Sequence, residues 1–250
     1  MAFSLRKWSL QQDATADPAP TIRMRTLSGP GIVIYPVTAT FGFIDWVMSI
    51  EPHWYSTMYL VIVLAGQFLS AFAFITLMLA KFQGYEPFRD VVTRTHFHDL
   101  GNLLLAFVIF WTYVSFSQLL IIYSGNLPTE IDWYLHRIAG GWKWVVIVLG
   151  LFNFFLPFFL LLFRVMKQNV RRLVVIAALI FCAHLVEVFW LIEPTFFPQG
   201  FHIHWLDFAA PAGLGGVWLA VFAFHLKRRA LLPQNDPRIE YQFPAVANAK

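Results

Sequence analysis

Six apolar runs, each long enough to cross a hydrocarbon layer about 30 Å thick, restrict this chain to one kind of fold. They lie at roughly 30–50, 57–80, 100–124, 142–163, 173–192 and 208–226. Backbone groups in lipid must be satisfied within the segment, so such runs read as helices. The first is the least regular, since it carries Pro36 and Asp45. Charged residues make up 13% of the chain, against about 25% in a soluble domain, and 58% of residues are hydrophobic. The expected fold is therefore all-α: a polytopic membrane bundle with a polar N-terminal tail (1–29), a transmembrane domain (30–226) and a C-terminal tail (227–250).

The basic residues provide an independent count of the spans. All but two of the 18 Lys and Arg fall before the first run, after the second, after the fourth or after the sixth. The other side holds only Arg137 and Lys143. The positive-inside rule then places both termini in the cytoplasm. The opposite loops are rich in aromatic residues and His, as in EPHWYST (51–57), IDWYLHR (131–137) and QGFHIHWLD (199–207). Trp54, Trp133, Trp142, Trp144, Trp190 and Trp205 are expected in the interfacial belt. Residues 1–29 contain no apolar stretch of the signal-peptide kind. The small-residue pairs Ala209/Gly213, Ala212/Gly216 and Gly66/Ser70 would allow close helix contact.

Several chemistries fit poorly. The net charge of +4 sits beside apolar spans and is no nucleic-acid signature. The single cysteine, Cys182, excludes an intrachain disulfide and a self-contained iron–sulfur cluster. His184 is the one deep histidine, which leaves a bis-histidine haem without its second ligand. The HxHD run at 96–99 has metal-ligand residue types but no companion cluster on its side, so no metal is expected.

What remains is a set of polar residues inside the spans, where they are costly unless they serve a purpose. His184 and Glu187 are three apart and share a helix face. Asp45 lies in the outer half of the first span, Gln67 and Ser70 in the second, and Asn153 in the fourth. Tyr113, Ser117 and Gln118 lie in the outer half of the third, and His98 and Asp99 at its cytoplasmic mouth. Together they outline a proton path through Asp45, His98, Asp99, Tyr113, Ser117, Gln118, His184 and Glu187, with no catalytic residue of its own. Two other readings stay open. One is a structural anchor that holds partners through the Trp- and His-rich loops. The other is a quinone-binding subunit with His53 or His136 at the end of a lipid-facing pocket.

Three stretches also resemble a known family: DWVMSIEPHWYSTMY (45–59), the run from His96 to Arg137, and HLVEVFWLIEP (184–194). They are similar to integral membrane subunits of the NrfD/polysulfide-reductase type, closest to the F subunit of alternative complex III, over roughly residues 30–230. The resemblance implies a bacterial cytoplasmic (inner) membrane protein. It also implies a sister NrfD-like membrane subunit and periplasmic haem and iron–sulfur subunits as partners. The substrate of such a complex is menaquinone or ubiquinone in its quinol form, and the electrons pass to a cytochrome or an oxidase. The F-type chain would bind no cofactor covalently, contribute a proton path, and not be catalytic alone. Family members usually carry a further bundle of helices ahead of the matched region, so the resemblance implies a shortened homologue or a partial reading.

Overall fold

A computed structural model describes residues 1–15, 17–228, 231–233 and 235. The C-terminal tail expected over 227–250 therefore lies largely outside the described residues. In chain order the helices are α1 (Ala2–Thr15), α2 (Ala19–Trp46), α3 (Thr57–Phe82), α4 (Phe88–Val91), α5 (Arg94–Gly125), α6 (Pro128–Ile138) and α7 (Trp142–Leu149). A π-helical turn, Gly150–Phe155, joins α7 to α8 (Leu156–Leu162), followed by α9 (Arg164–Gln168), α10 (Val170–Phe196) and α11 (Leu206–Lys227). No strand occurs among the described residues. Among the described residues, six helical stretches are long and apolar enough to span a membrane, as the sequence predicts. The first is longer than expected: residues 19–29, read as tail, continue α2 toward its polar end.

The centre is a bundle of α3, α5, α10 and the broken helix α7–π turn–α8. Its packing follows from residue spacing. The buried positions of α5 are Phe97, Gly101, Leu104, Val108, Trp111, Val114, Gln118 and Ile122, each three or four residues after the last. Those of α10 are Leu173, Ile176, Ala177, Ile180, Ala183, Glu187, Leu191 and Pro194. A helix with this stripe presents one face to its neighbours. The stripes of α3, α5, α8 and α10 meet in a dry cluster: Leu69, Ala73, Phe97, Leu104, Val108, Leu161, Leu173, Ile176, Ala177 and Ile180. By contrast, α2 buries only Pro20 and Gly31, and α11 buries nothing within the chain. The small residues Gly213 and Gly216 accordingly meet no atom within 4 Å. Lipid tails are as apolar as such side chains, so both helices can sit at the rim of the bundle.

The two ends of the bundle differ. One gathers Trp54, Tyr59, Ile122, Trp133 and Leu191 into a second cluster; it is called the aromatic end below. Trp54 stacks on Trp133 with centroids 4.7 Å apart. Three of the tryptophans expected in an interfacial belt, Trp54, Trp133 and Trp142, are instead buried: α6 stacks its Trp133 on Trp54, and Trp142 packs against Phe189 and Phe201. Trp144 and Trp205 stay exposed.

Arg137 locks the aromatic end. Its guanidinium bonds Glu51 Oε1 at 2.8 Å, the Leu191 carbonyl at 2.7 Å and Thr195 Oγ1 at 2.9 Å. It also lies 3.8 Å from the centroid of the Trp133 ring. Thr195 donates to the same Glu51 oxygen at 2.6 Å, and Trp190 Nε1 donates to the Arg137 carbonyl at 3.1 Å. One side chain thus joins the 47–56 loop, α6 and the end of α10. Burial pushes the Arg137 pKa down, and the Glu51 carboxylate pulls it back up. Burial likewise pushes the neighbouring Tyr134 hydroxyl up, with Arg137 opposing. Removing one partner of a buried pair leaves the other uncompensated, so Arg137→Ala should lose about 3–5 kcal/mol of stability. Denaturation in detergent measures this, with the exposed Lys143→Ala changing stability by less than about 0.5 kcal/mol.

Candidate functional site

Glu187 occupies a position in the buried stripe of α10 that the helical repeat would give to an apolar residue. It is 2% exposed, and four helical segments converge on it. Trp111 of α5 donates its indole N–H to Oε1 at 2.6 Å. His184 Nδ1, one turn away on α10, lies 2.9 Å from Oε2. Asn153 Nδ2 of the π turn lies 3.5 Å from the same oxygen. On the α3 side Gly66 provides the space: a Cβ there would sit 2.7 Å from His184 Cε1 and 3.4 Å from Glu187 Oε2.

Local sequence explains each contribution. Asn153 reaches the carboxyl because the helix widens at Gly150–Phe155. Pro157, four residues further on, has no N–H for the Asn153 carbonyl, which removes the bond that would hold a regular α-turn there. Such π turns often occur at functional sites. Gly66 was legible only as a small packing residue, and its contact with the imidazole needed the structure. Trp111 was not singled out by sequence reasoning, and Asn153 stood out only as a polar residue of the fourth span, with no partner assigned. Their one sequence signal is register, since both fall on the buried faces of their helices.

The geometry suits a proton that can move. As a carboxylate, Glu187 accepts from Trp111, Asn153 and a protonated His184 Nδ1. As a carboxylic acid, it would donate along the same 2.9 Å line to an unprotonated Nδ1. Carboxyl and imidazole thus offer one proton two positions. A buried charge is stable only when paired and hydrogen-bonded, and this arrangement supplies both. The Asn153 Oδ1 atom is buried without a hydrogen-bond partner.

The other expected residues divide clearly. Gln118 is buried in the same α5 stripe as Trp111. Ser117 is half-buried. Tyr113 is 67% exposed, because two residues beyond Trp111 is a rotation of about 200° around the helix. Asp45 is exposed near the end of α2 and does not join Glu187. His53 and His136 are both exposed.

His98 and Asp99 contact each other at 3.6 Å at the opposite end of the bundle. There Asn102 lies between His98 Nδ1, at 3.4 Å, and the buried Lys167, whose Nζ donates to Asn102 Oδ1 at 2.8 Å. The Lys167 stem runs over Gly101, where a Cβ would meet it at 2.7 Å. This polar group is separated from Glu187 by the dry Leu69–Ile180 cluster. His98 and Trp111 are 13 residues apart on one helix, or about 20 Å.

No family model matches the chain, and none of the curated proteins does.

The fit of His184 against Gly66 can be tested by a double-mutant cycle. Gly66→Ala alone should cost about 1–3 kcal/mol through overpacking. In a His184→Ala background the same substitution should cost less by about 1 kcal/mol or more, a coupling expected only of residues in contact.

Proposed function

We propose that this chain is a proton-handling membrane subunit of a quinol-oxidising respiratory complex, with Glu187 and His184 as its proton-exchanging pair. The observation that carries the reading is the Glu187 carboxyl, 2% exposed and held by Trp111 and His184 in the centre of an apolar bundle. Ionisable groups so placed in membrane bundles commonly serve proton relays. No Lys or Arg contacts the carboxyl among the described residues, so its charge is not fixed by a permanent cation.

The respiratory assignment rests on resemblance. The three stretches that resemble NrfD-type subunits also supply the linked residues: Glu51 in the first, Trp111 and Arg137 in the second, His184 and Glu187 in the third. With both termini in the cytoplasm, as the basic loops favour, the aromatic end faces outward toward haem and iron–sulfur partners in a bacterial inner membrane. Menaquinol or ubiquinol would then be the substrate of the complex. The dry cluster on the cytoplasmic side of Glu187 favours exchange with the outer face, so access from the His98–Asp99 side requires that cluster to open. A membrane anchor is the competing reading, and the tightly bonded aromatic end would serve it equally.

The two readings separate on one variant. Glu187→Gln keeps the shape and the Trp111 bond but cannot ionise. In vesicles oxidising quinol it should lower the number of protons moved per electron while the complex still assembles, with Asp45→Asn unchanged. Unaltered stoichiometry in Glu187→Gln would leave the anchor as the function.

A further inference from the structure

We propose that Ser115, Gln118 and a cleft bounded by Glu130 form the hydrated port through which the Glu187 site communicates with the aromatic-end solution. The inference rests on the reading of Glu187 as a proton-exchanging carboxyl and specifies its route. Along α5, Trp111, Ser115 and Gln118 follow at four and three residues and so share one helix face. Trp111 touches Glu187. Gln118 is 2% exposed, yet among the described residues neither its amide nitrogen nor its amide oxygen has a hydrogen-bond partner, and Ser115 Oγ, three residues before it, has none either.

Buried polar atoms are almost always satisfied, by protein or by ordered water. Four such atoms occur on this route: Asn153 Oδ1 beside the carboxyl, Ser115 Oγ, and both ends of Gln118. Gln118 opens into a cleft of about 200 Å³ lined also by Tyr55, Ser56, Met58, Ile121 and Glu130. That volume exceeds the roughly 30 Å³ share of one water several-fold, and Ser56, Gln118 and Glu130 supply polar groups at its wall. The span from Trp111 to Gln118 is about 10 Å along the helix axis, a distance that a few waters bridge.

The step balances simply. A proton leaving the Glu187 carboxyl passes to the nearest water, and each water in turn hands one proton to the next. The last gives its proton to the Glu130 carboxylate or to bulk solvent, and Glu187 is left as a carboxylate. Reloading runs the same chain in reverse. Gln118 is a positioning residue here, since its amide both donates to and accepts from water without titrating. Glu130 is held in place partly through its own backbone, whose carbonyl accepts from Trp54 Nε1 at 3.2 Å.

Thiol labelling of the full complex in lipid nanodiscs tests the port, after Cys182→Ser. A charged methanethiosulfonate reagent needs water and a thiolate. Gln118→Cys should label within about tenfold of the cleft control Ser56→Cys, and at least about a hundredfold faster than Val108→Cys in the dry cluster. A rate for Gln118→Cys as slow as that of Val108→Cys overturns the port.

A second measurement follows the carboxyl infrared band of Glu187 after a pH jump. Gln118→Leu should leave its amplitude intact and slow its response by about tenfold or more, whereas an unchanged rate overturns the port. Failure of the underlying reading has a different signature, a pH-jump spectrum unaltered by Glu187→Gln.

Discussion

Moving an ionised carboxylate from water into a hydrocarbon-like interior without compensation is among the most costly events in a protein, tens of kcal/mol in the limiting estimate. The architecture around Glu187 follows from that cost. Two donors must point at the carboxyl from different helices, which fixes the rotation of α5 through Trp111 and the widening of the fourth span through Asn153. A histidine one turn away on the same helix needs room, which only a residue without a Cβ on α3 gives. The apolar clusters determine that a bundle forms; the carboxyl determines its register.

The polar interior is not symmetric along the bundle. Toward the basic end, ten buried apolar side chains from four helices pack together, and Thr76, the buried hydroxyl of α3 near that level, is bonded to its own backbone at Phe72. Toward the aromatic end, Gln118 interrupts the apolar stripe of α5 and lines a cleft. The proposed port, leading to one side only, would be half of what vectorial transfer needs. The other half is a change of state that reverses the access, and the dry cluster is where such a change must act.

Much of this was legible in the sequence, and the limits have physical causes. Span number follows from length and apolarity, properties local to each run. The His184–Glu187 pair follows from helical spacing on one element. Helical register also distinguishes Gln118 from Tyr113, since only Gln118 continues the Phe97–Leu104–Val108–Trp111 stripe; counting polar residues by depth alone joined the two. Asp45 could not be placed by depth either, because its helix packs at the rim and turns that residue outward. The partners of Trp111 and Asn153 were beyond reach for a different reason: an indole among 10 tryptophans and one amide in an apolar run acquire their roles only when a carboxyl on another helix comes within bonding distance. The same holds for Arg137, whose sequence context suggested a loop charge and whose partners lie 86, 54 and 58 residues away.

Arg137 and Glu187 also show how two buried charges can be used in opposite ways. The Arg137 guanidinium is joined to a carboxylate, two carbonyls, a hydroxyl and an aromatic face. Bonds of that kind rigidify, and an arginine does not give up its proton. Around Glu187 the partners are fewer, an imidazole stands where Arg137 has a permanent charge, and nearby amide and hydroxyl atoms have no protein partner among the described residues. A densely bonded network around a permanent charge resists change, whereas one completed by exchangeable groups lets protonation state and hydrogen-bond direction alter without moving a helix. The rigid aromatic end keeps α5 and α10 in register, and that register holds the Trp111 and Glu187 side chains at bonding distance while the proton changes place.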